Sequence, residues 1–483
     1  MFNKFFNILL LFVLGSCTIL KPNTYLLKSD LSKANKYKDK ITSSFLEKHL
    51  SVLASDEFEG RETTTKGQKK AAKYLSNFLK EKKIKSAIDT SYYQQFLVDV
   101  TDFNNVQLYV NSAKIPFLDG FYSFGNPENK SMNNVPLIDV GYGIINDEIN
   151  EYDQKEVKGK IVIMNEGISS KADNLSEGNW RNKLKSAEKY GAAAILIKSK
   201  DYQNSDQQIK AYIKNPRMKM HNKIKNNKHI PVFIVDDRLF SKDTSYTIGF
   251  STSVSTLKTA ENVISYIPGK TDETIVISAH YDHIGYDQGE VCNGADDDGS
   301  GTVSLMSIAN AFQTAYNEGH KPERNIVFLM VSGEEKGLFG SQFYSENPVF
   351  KLEKTITNLN IDMIGRQDTI QKDNNYIYLI GSDRISKDLH NINEQVNKKY
   401  ISFRLDYTYN AIDDPNQFYY RSDHYNFAKN NIPVIFYFGG LHEDYHKPTD
   451  EVDKIDFKKL EITSQYIFLT AWELAYRKKT IKN

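Results

Sequence analysis

Histidines and carboxylates recur in this chain directly after short apolar runs, the placement from which a metal-assisted hydrolytic site is built. His280-Tyr281-Asp282-His283 follow Thr274 to Ala279, and Ser332-Gly333-Glu334-Glu335 follow Ile326 to Val331. Asp362 follows Leu359 to Ile361, while Gly439-Gly440, His442, His446 and Asp450 follow Val434 to Phe438. A fifth segment, Gly294-Ala295-Asp296-Asp297-Asp298-Gly299-Ser300-Gly301, precedes a helical apolar pattern. Imidazoles and carboxylates without thiolates suit zinc, and more carboxylates than a three-ligand site needs suit two ions sharing a bridge. Two such ions outweigh three ligating carboxylates in charge, which favours a hydroxide as nucleophile. One unligated carboxylate is then required to move the proton.

No single piece carries that reading. An Asp run before a helix commonly caps it. The Asp run is not a calcium loop, because the register that places Asp298-Gly299 at positions five and six puts Gly294 and Leu305 where acids are required. Other chemistries lack parts. There is no Gly-x-Ser-x-Gly elbow, Ile264 stands where a phosphate loop ending in Gly269-Lys270-Thr271 needs glycine, and nothing places a base beside Cys292. Five segments converging on one rim make the case.

The elements that would bring them together follow from periodicity. Strand-like runs at 274–279, 326–331, 359–361, 376–380 and 434–438 alternate with helical patterns at 300–315, 338–345, 386–399 and 460–475. The alternation predicts an α/β fold, a mixed and mostly parallel sheet flanked by helices, with ligands beyond the strands' carboxyl ends. Residues 41–84 predict two more helices. Residues 121–250 change character, with strand runs at 135–140, 161–164, 192–197 and 229–235 and a helix near 183–190, and read as a small separate unit. Inside it, Lys198 to Lys228 holds nine Lys or Arg against two Asp with no apolar period. That stretch reads as a solvated excursion rather than a nucleic-acid patch. The unit's position suggests that it shapes or covers the cleft.

With 483 residues, 40% hydrophobic and 25% charged, the chain is long enough for two or three folded units. Lys and Arg total 62 against 61 Asp and Glu, so no global charge points to nucleic acid. Two cysteines cannot build a thiolate zinc site. At the amino terminus Lys4 precedes an apolar run from Phe5 to Leu14, too short to span a bilayer, and then Leu14-Gly15-Ser16-Cys17. This resembles a bacterial lipobox, with 1–16 as signal peptide, Cys17 as the lipidated first residue of the mature chain, and 17–40 as a solvated tether. The resemblance implies a membrane-anchored cell-envelope lipoprotein, facing the periplasm or the cell surface, with Cys292 left without a disulfide partner.

At the residues named above, the chain resembles the co-catalytic di-zinc aminopeptidases, metallopeptidase family twenty-eight, whose relatives include glutamate carboxypeptidases and transferrin receptors. The resemblance runs through 41–120 and 251–483. The insert at 121–250, with Val157-Lys158-Gly159-Lys160-Ile161-Val162 and Gly191-Ala192-Ala193-Ala194-Ile195, is similar to a protease-associated domain. Carried over by position, the resemblance implies two zinc ions, His280 and Asp362 on one, Glu335 and His446 on the other, and Asp297 bridging. It makes Glu334 the general acid/base, Asp282 the carboxylate that orients His280, and Tyr445 a stabiliser of the tetrahedral intermediate. His442 is a rival to His446, and Arg421-Ser422-Asp423-His424 is expected to line the cleft. The implied activity is removal of amino-terminal residues from peptides. The alternatives are a carboxypeptidase or dipeptidase on the same scaffold, or a non-catalytic receptor-like relative.

Overall fold

A computed structural model describes residues 27–89, 91–170, 172, 175–204, 207–221, 228–241 and 245–482. The signal segment 1–16 and Cys17 lie outside them. Nine strands in one sheet position the site: β1 (Tyr93–Thr101), β2 (Arg217–Met220), β3 (Ser255–Ile267), β4 (Thr274–His280), β5 (Asn325–Val331), β6 (Thr355–Asp362), β7 (Tyr376–Ile380), β8 (Arg404–Asp406) and β9 (Val434–Phe438). Their order is β8-β7-β9-β6-β4-β5-β3-β1-β2, with Lys85–Ser86 paired beside β3. The four central strands β9, β6, β4 and β5 are parallel, and antiparallel pairs flank them on both sides. Parallel strands need crossovers, which the helices supply.

Helices α1 (Leu31–Lys38), α2 (Ser43–Leu53), α3 (Lys66–Glu81), α4 (Trp180–Lys189), α5 (Gln207–Lys214), α6 (Gly301–Asn317), α7 (Phe339–Glu346), α8 (Lys387–Val396), α9 (His424–Ala428) and α10 (Phe457–Tyr476) complete the order. Strand side chains alternate between faces. On one face Ile275, Ile277, Phe328, Leu359 and Ile435 share a core with α1, α2, α3, α6, α8 and α10. On the other, Val276, Val327, Leu329 and Val434 pack against Tyr344 of α7 and Phe427 of α9. Burial on both faces explains why the central strands read as continuous apolar runs.

Two expectations about organisation change. The tether does not extend to residue 40. Leu31, Ala34 and Tyr37 recur every third residue, form the buried stripe of α1, and Tyr37 stacks on Trp472 of α10. The main-chain N–H groups of Lys28 and Ser29 both donate to the Glu473 carboxylate. The numerous lysines of this stretch conceal a three-residue apolar spacing.

The second unit is an eight-stranded sheet that starts earlier than residue 121, because Val106–Val110 and Ala113–Ile115 belong to it. In the other direction, β2 lies inside the expected insert but pairs with β1 in the main sheet. The basic stretch from 198 to 228 is therefore partly built into the fold. It contributes α5 as well as β2. Among the described residues no helix is long and apolar enough to cross a membrane.

Candidate active site

The parallel register sets the level of the site. Ser278 of β4 pairs with Asn360 of β6, and His280 pairs with Val331 at the end of β5. His280 and Asp362 therefore leave the sheet at the same height, and Glu334 and Glu335 follow one turn beyond. The acidic segment before α6 enters from the side. Gly294 has φ +53°, and a Cβ there would meet the Asp297 carbonyl oxygen at 2.3 Å and the His283 ring at 2.5 Å, so only glycine fits.

That turn sends three consecutive carboxylates in three directions. Asp296 Oδ1 accepts the Gly365 N–H at 2.6 Å. Asp298 accepts the N–H groups of His280 (3.1 Å), Gly301 (2.9 Å) and Met363 (3.2 Å), and so staples three segments of main chain. Asp297, at the non-helical kink, points into the cleft. Its Oδ1 lies 3.3 Å from His280 Nε2 and its Oδ2 lies 3.0 Å from His446 Nε2. Asp450 holds the turn from behind, accepting the N–H groups of Asp296 and Asp297. His442 stands 3.3 Å from Asp296, away from the cleft pair.

Around Asp297 two half-sites form. His280 Nε2 is also 3.5 Å from Asp362 Oδ1, and His446 Nε2 is 3.1 Å from Glu335 Oε2. Both half-sites are largely buried, although the His446 side chain remains 36% exposed. Two further groups lie close by. Asp298 clusters with His280 and Asp362, but its oxygens are committed to main chain; His283 clusters with Asp297 and Glu335 and holds Glu335 Oε1 at 2.7 Å through Nδ1. Burial alone would depress both cleft imidazoles. Instead the carboxylates around His280, Asp362 foremost, raise it well above its ordinary value, and Asp297 and Glu335 raise His446 to about 10. Against its own burial Asp297 is held well below the carboxylate range by His280 and His446.

The donor set fits divalent cations. His280 Nδ1 lies 3.0 Å from the Asp282 carbonyl oxygen and donates to it, so Nε2 is the nitrogen that faces two carboxylate oxygens, protonated without metal and able to ligate a cation once that proton is lost. Such an array is stable only with positive charge between the donors. Tetrahedral ligands about 2.0–2.2 Å from one ion stand roughly 3.3–3.6 Å from each other, close to the spacings found in both half-sites.

The orienting contact expected from the Asp282 carboxylate is made by its carbonyl. The carboxylate is 3.9 Å from His280 Nδ1 and instead accepts from Thr63 Oγ1 at 2.7 Å and from the Glu334 N–H at 3.3 Å. It positions the Glu334 loop. The Glu334 carboxylate faces the cleft with no hydrogen bond among the described residues, and burial, then Asp362 and Glu335, raise its pKa well above normal. Tyr445 stacks on His446 at 3.9 Å. Burial, with Asp297 and Glu335 nearby, keeps its hydroxyl protonated.

Arg421 and Ser422 line the cleft, whereas Asp423 and His424 are buried beneath it. Met363, Phe418, Phe436, Phe438 and Leu441 form the apolar wall of the cleft.

Two positioning roles escaped the sequence reading, although Ser422 was itself expected to line the cleft. Ser422 Oγ donates to Asp362 Oδ2 at 2.6 Å and is itself held by Asn360. Arg61, fully buried, binds four main-chain carbonyls under the turn. No local spacing announces either. Cys292 is buried and unpaired, and burial pushes its thiol up to about 11, so it is no nucleophile.

Residues 262–471, which contain all five converging side chains, match the profile of peptidase family M28. The match to that family covers a little under half of the chain. A probable leucine aminopeptidase of Arthroderma benhamiae is 26% identical over 222 residues, covering 44% of this chain and 58% of that protein. A vacuolar membrane protease of Verticillium alfalfae is 31% identical over 152 residues, covering 26% of this chain and 14% of that protein. The matched M28 region thus spans less than two thirds of either relative. In fold, the chain is similar to an aminopeptidase from Aneurinibacillus sp. strain AM-1, with a TM-score of 0.53 and 18% identity over 93% of this chain and 98% of that one. It is likewise similar to a zinc aminopeptidase from Bacillus subtilis, with a TM-score of 0.50 and 18% identity over 91% and 97%.

Proposed function

We propose that this protein is a zinc-dependent exopeptidase that removes amino-terminal residues from peptides, with His280 and Asp362 holding one ion, Glu335 and His446 a second, and Asp297 bridging. The observation that carries the reading is the division of the two Asp297 oxygens between His280 and His446. Bound there, zinc supplies polarisation of the scissile carbonyl and acidification of water.

The chain's own residues do the rest. Glu334, the one cleft carboxylate without a hydrogen-bonding partner among the described residues, takes the proton from water and passes it to the leaving amine. The Tyr445 hydroxyl donates to the oxygen that gains charge in the tetrahedral state. Ser422 and the Asp282 carbonyl keep Asp362 and His280 in register, so the site is set before substrate arrives. The aromatic wall takes an apolar first side chain.

A panel of aminoacyl p-nitroanilides against amino-blocked peptides with free carboxylates, before and after chelation and zinc return, tests this. Cleavage of the nitroanilides that chelation abolishes and zinc restores is expected; cleavage confined to blocked peptides would make the protein a carboxypeptidase, and no turnover would leave a receptor. We further propose the second sheet as a protease-associated domain and Cys17 as a lipid anchor on an envelope membrane. A labelled fatty acid should be incorporated by the natural chain and not by Cys17→Ser.

A further inference from the structure

One side of the catalytic rim is extended by a ribbon. β3 pairs with β5 only from Val263 onward, so Ser255–Asn262 run past the end of β5 together with β1. On that extension, above the loop bearing Glu334 and Glu335, β2 pairs with Val98–Thr101 of β1. Its side chains divide by the two-residue period. Met218 and Met220 pack on Phe96 and Val98, leaving Arg217 and Lys219 for the other face.

A trough runs here from Lys336, the residue after Glu335, to Arg217, Lys219 and Tyr212. These last three also line a second depression that continues to Trp180 and Arg181. Tyr212 is 61% exposed and Ile209 is 44% exposed, large apolar side chains held at the surface on α5. The Arg217 guanidinium lies 5.1 Å from the Phe103 ring and 4.9 Å from Tyr212, and Nη1 donates to the Tyr212 hydroxyl. Its Nε and Nη2 have no partner among the described residues and are shielded from solvent, so the guanidinium acts on the trough through its uncompensated charge. Asp99, an acid that lines the trough opposite Lys219 in the strand register, is 3.0 Å from His221. Lys336 is 2.8 Å from Glu62.

We infer that this trough binds the downstream part of peptide substrates and selects acidic residues there, with Arg217 and Lys219 as specificity-determining residues. The inference rests on the aminopeptidase reading above and adds the substrate class. The aromatic side chains supply sequence-tolerant contact area, and the cations supply the sign of the preference.

Peptides beginning Leu-Gly-Gly and continuing with either Glu or Lys residues provide the test, beside leucine p-nitroanilide, which is too short to reach the trough. The natural protein should cleave the acidic peptide with a KM about tenfold lower than the basic one, a gap that narrows as salt is added. Arg217→Ala with Lys219→Ala should close the gap and leave nitroanilide turnover unchanged. Lys219→Gln alone, at an exposed position, should narrow it while adding no like charge opposite Asp99. Equal KM values for the two peptides, or a gap that survives the double variant, would overturn the inference. Fluorescence anisotropy with an amino-acetylated acidic peptide separates this failure from failure of the aminopeptidase reading, because it reports trough binding without turnover. Displacement of that peptide by a single-stranded oligonucleotide at lower concentration than by unlabelled acidic peptide would also overturn it.

Discussion

Arg61 Nη2 donates to the Gly294 carbonyl oxygen at 2.9 Å across 233 residues of chain, and the same guanidinium holds the carbonyls of Leu53, Asn293 and Tyr281. The acidic turn that presents Asp297 thus rests on a buried cation from the amino-terminal helical layer. Arg61→Met removes four charge-assisted hydrogen bonds and leaves four carbonyls unpaired, and should lower stability by about 3–5 kcal/mol. Urea melts followed by circular dichroism measure this; a loss below about 1 kcal/mol would show that the turn stands without the clamp.

Asp297 and Asp298 are neighbours with opposite assignments, which a pair of variants separates. Asp297→Ala should abolish tight zinc binding in both half-sites while the fold survives. Asp298→Ala should cost about 2–4 kcal/mol of stability, because three main-chain N–H groups lose their acceptor, with zinc stoichiometry retained in the folded fraction. Elemental analysis and thermal melts on both variants provide the readouts, and reversed phenotypes would exchange the two roles.

Glu334→Gln keeps the shape of the cleft and removes the proton carrier. Zinc content should be unchanged and turnover should fall by about a hundredfold or more. Near-normal turnover would take Glu334 out of the reaction.

Zinc uptake should be linked to pH. The raised pKa of His446, about 10 without metal, means that its imidazole is protonated at neutral pH and must lose that proton to bind. Below that value, apparent affinity should rise with pH, by about tenfold per unit for each proton released. Calorimetry in buffers of different ionisation enthalpy counts the protons. A count of zero at neutral pH would mean that the imidazole is already neutral in the metal-free protein.

Much of this was legible in the sequence because the relevant physics is local. Apolar runs of strand length alternating with helical periods predicted the central strands, and β7 and β9 match their expected limits at 376–380 and 434–438. The placement of His280, Glu334, Glu335, Asp362 and His446 just beyond strand ends followed from the same pattern. The helix at the end of the supposed tether was missed because its short stripe of Leu31, Ala34 and Tyr37 finds its partner in α10, more than four hundred residues away.

Tertiary structure alone decided the choices among like residues. Nothing in a run of three aspartates tells which one faces the cleft. That was settled by the kink at Asp297 and by main-chain donors from His280, Gly365 and Met363 arriving to occupy its neighbours. Arg61 and Ser422 act at a distance in sequence, so only the folded chain shows what they hold. Composition and periodicity determine which segments become strands and helices; the identity of the group that meets each polar atom depends on contacts between remote segments, and a linear pattern does not encode those.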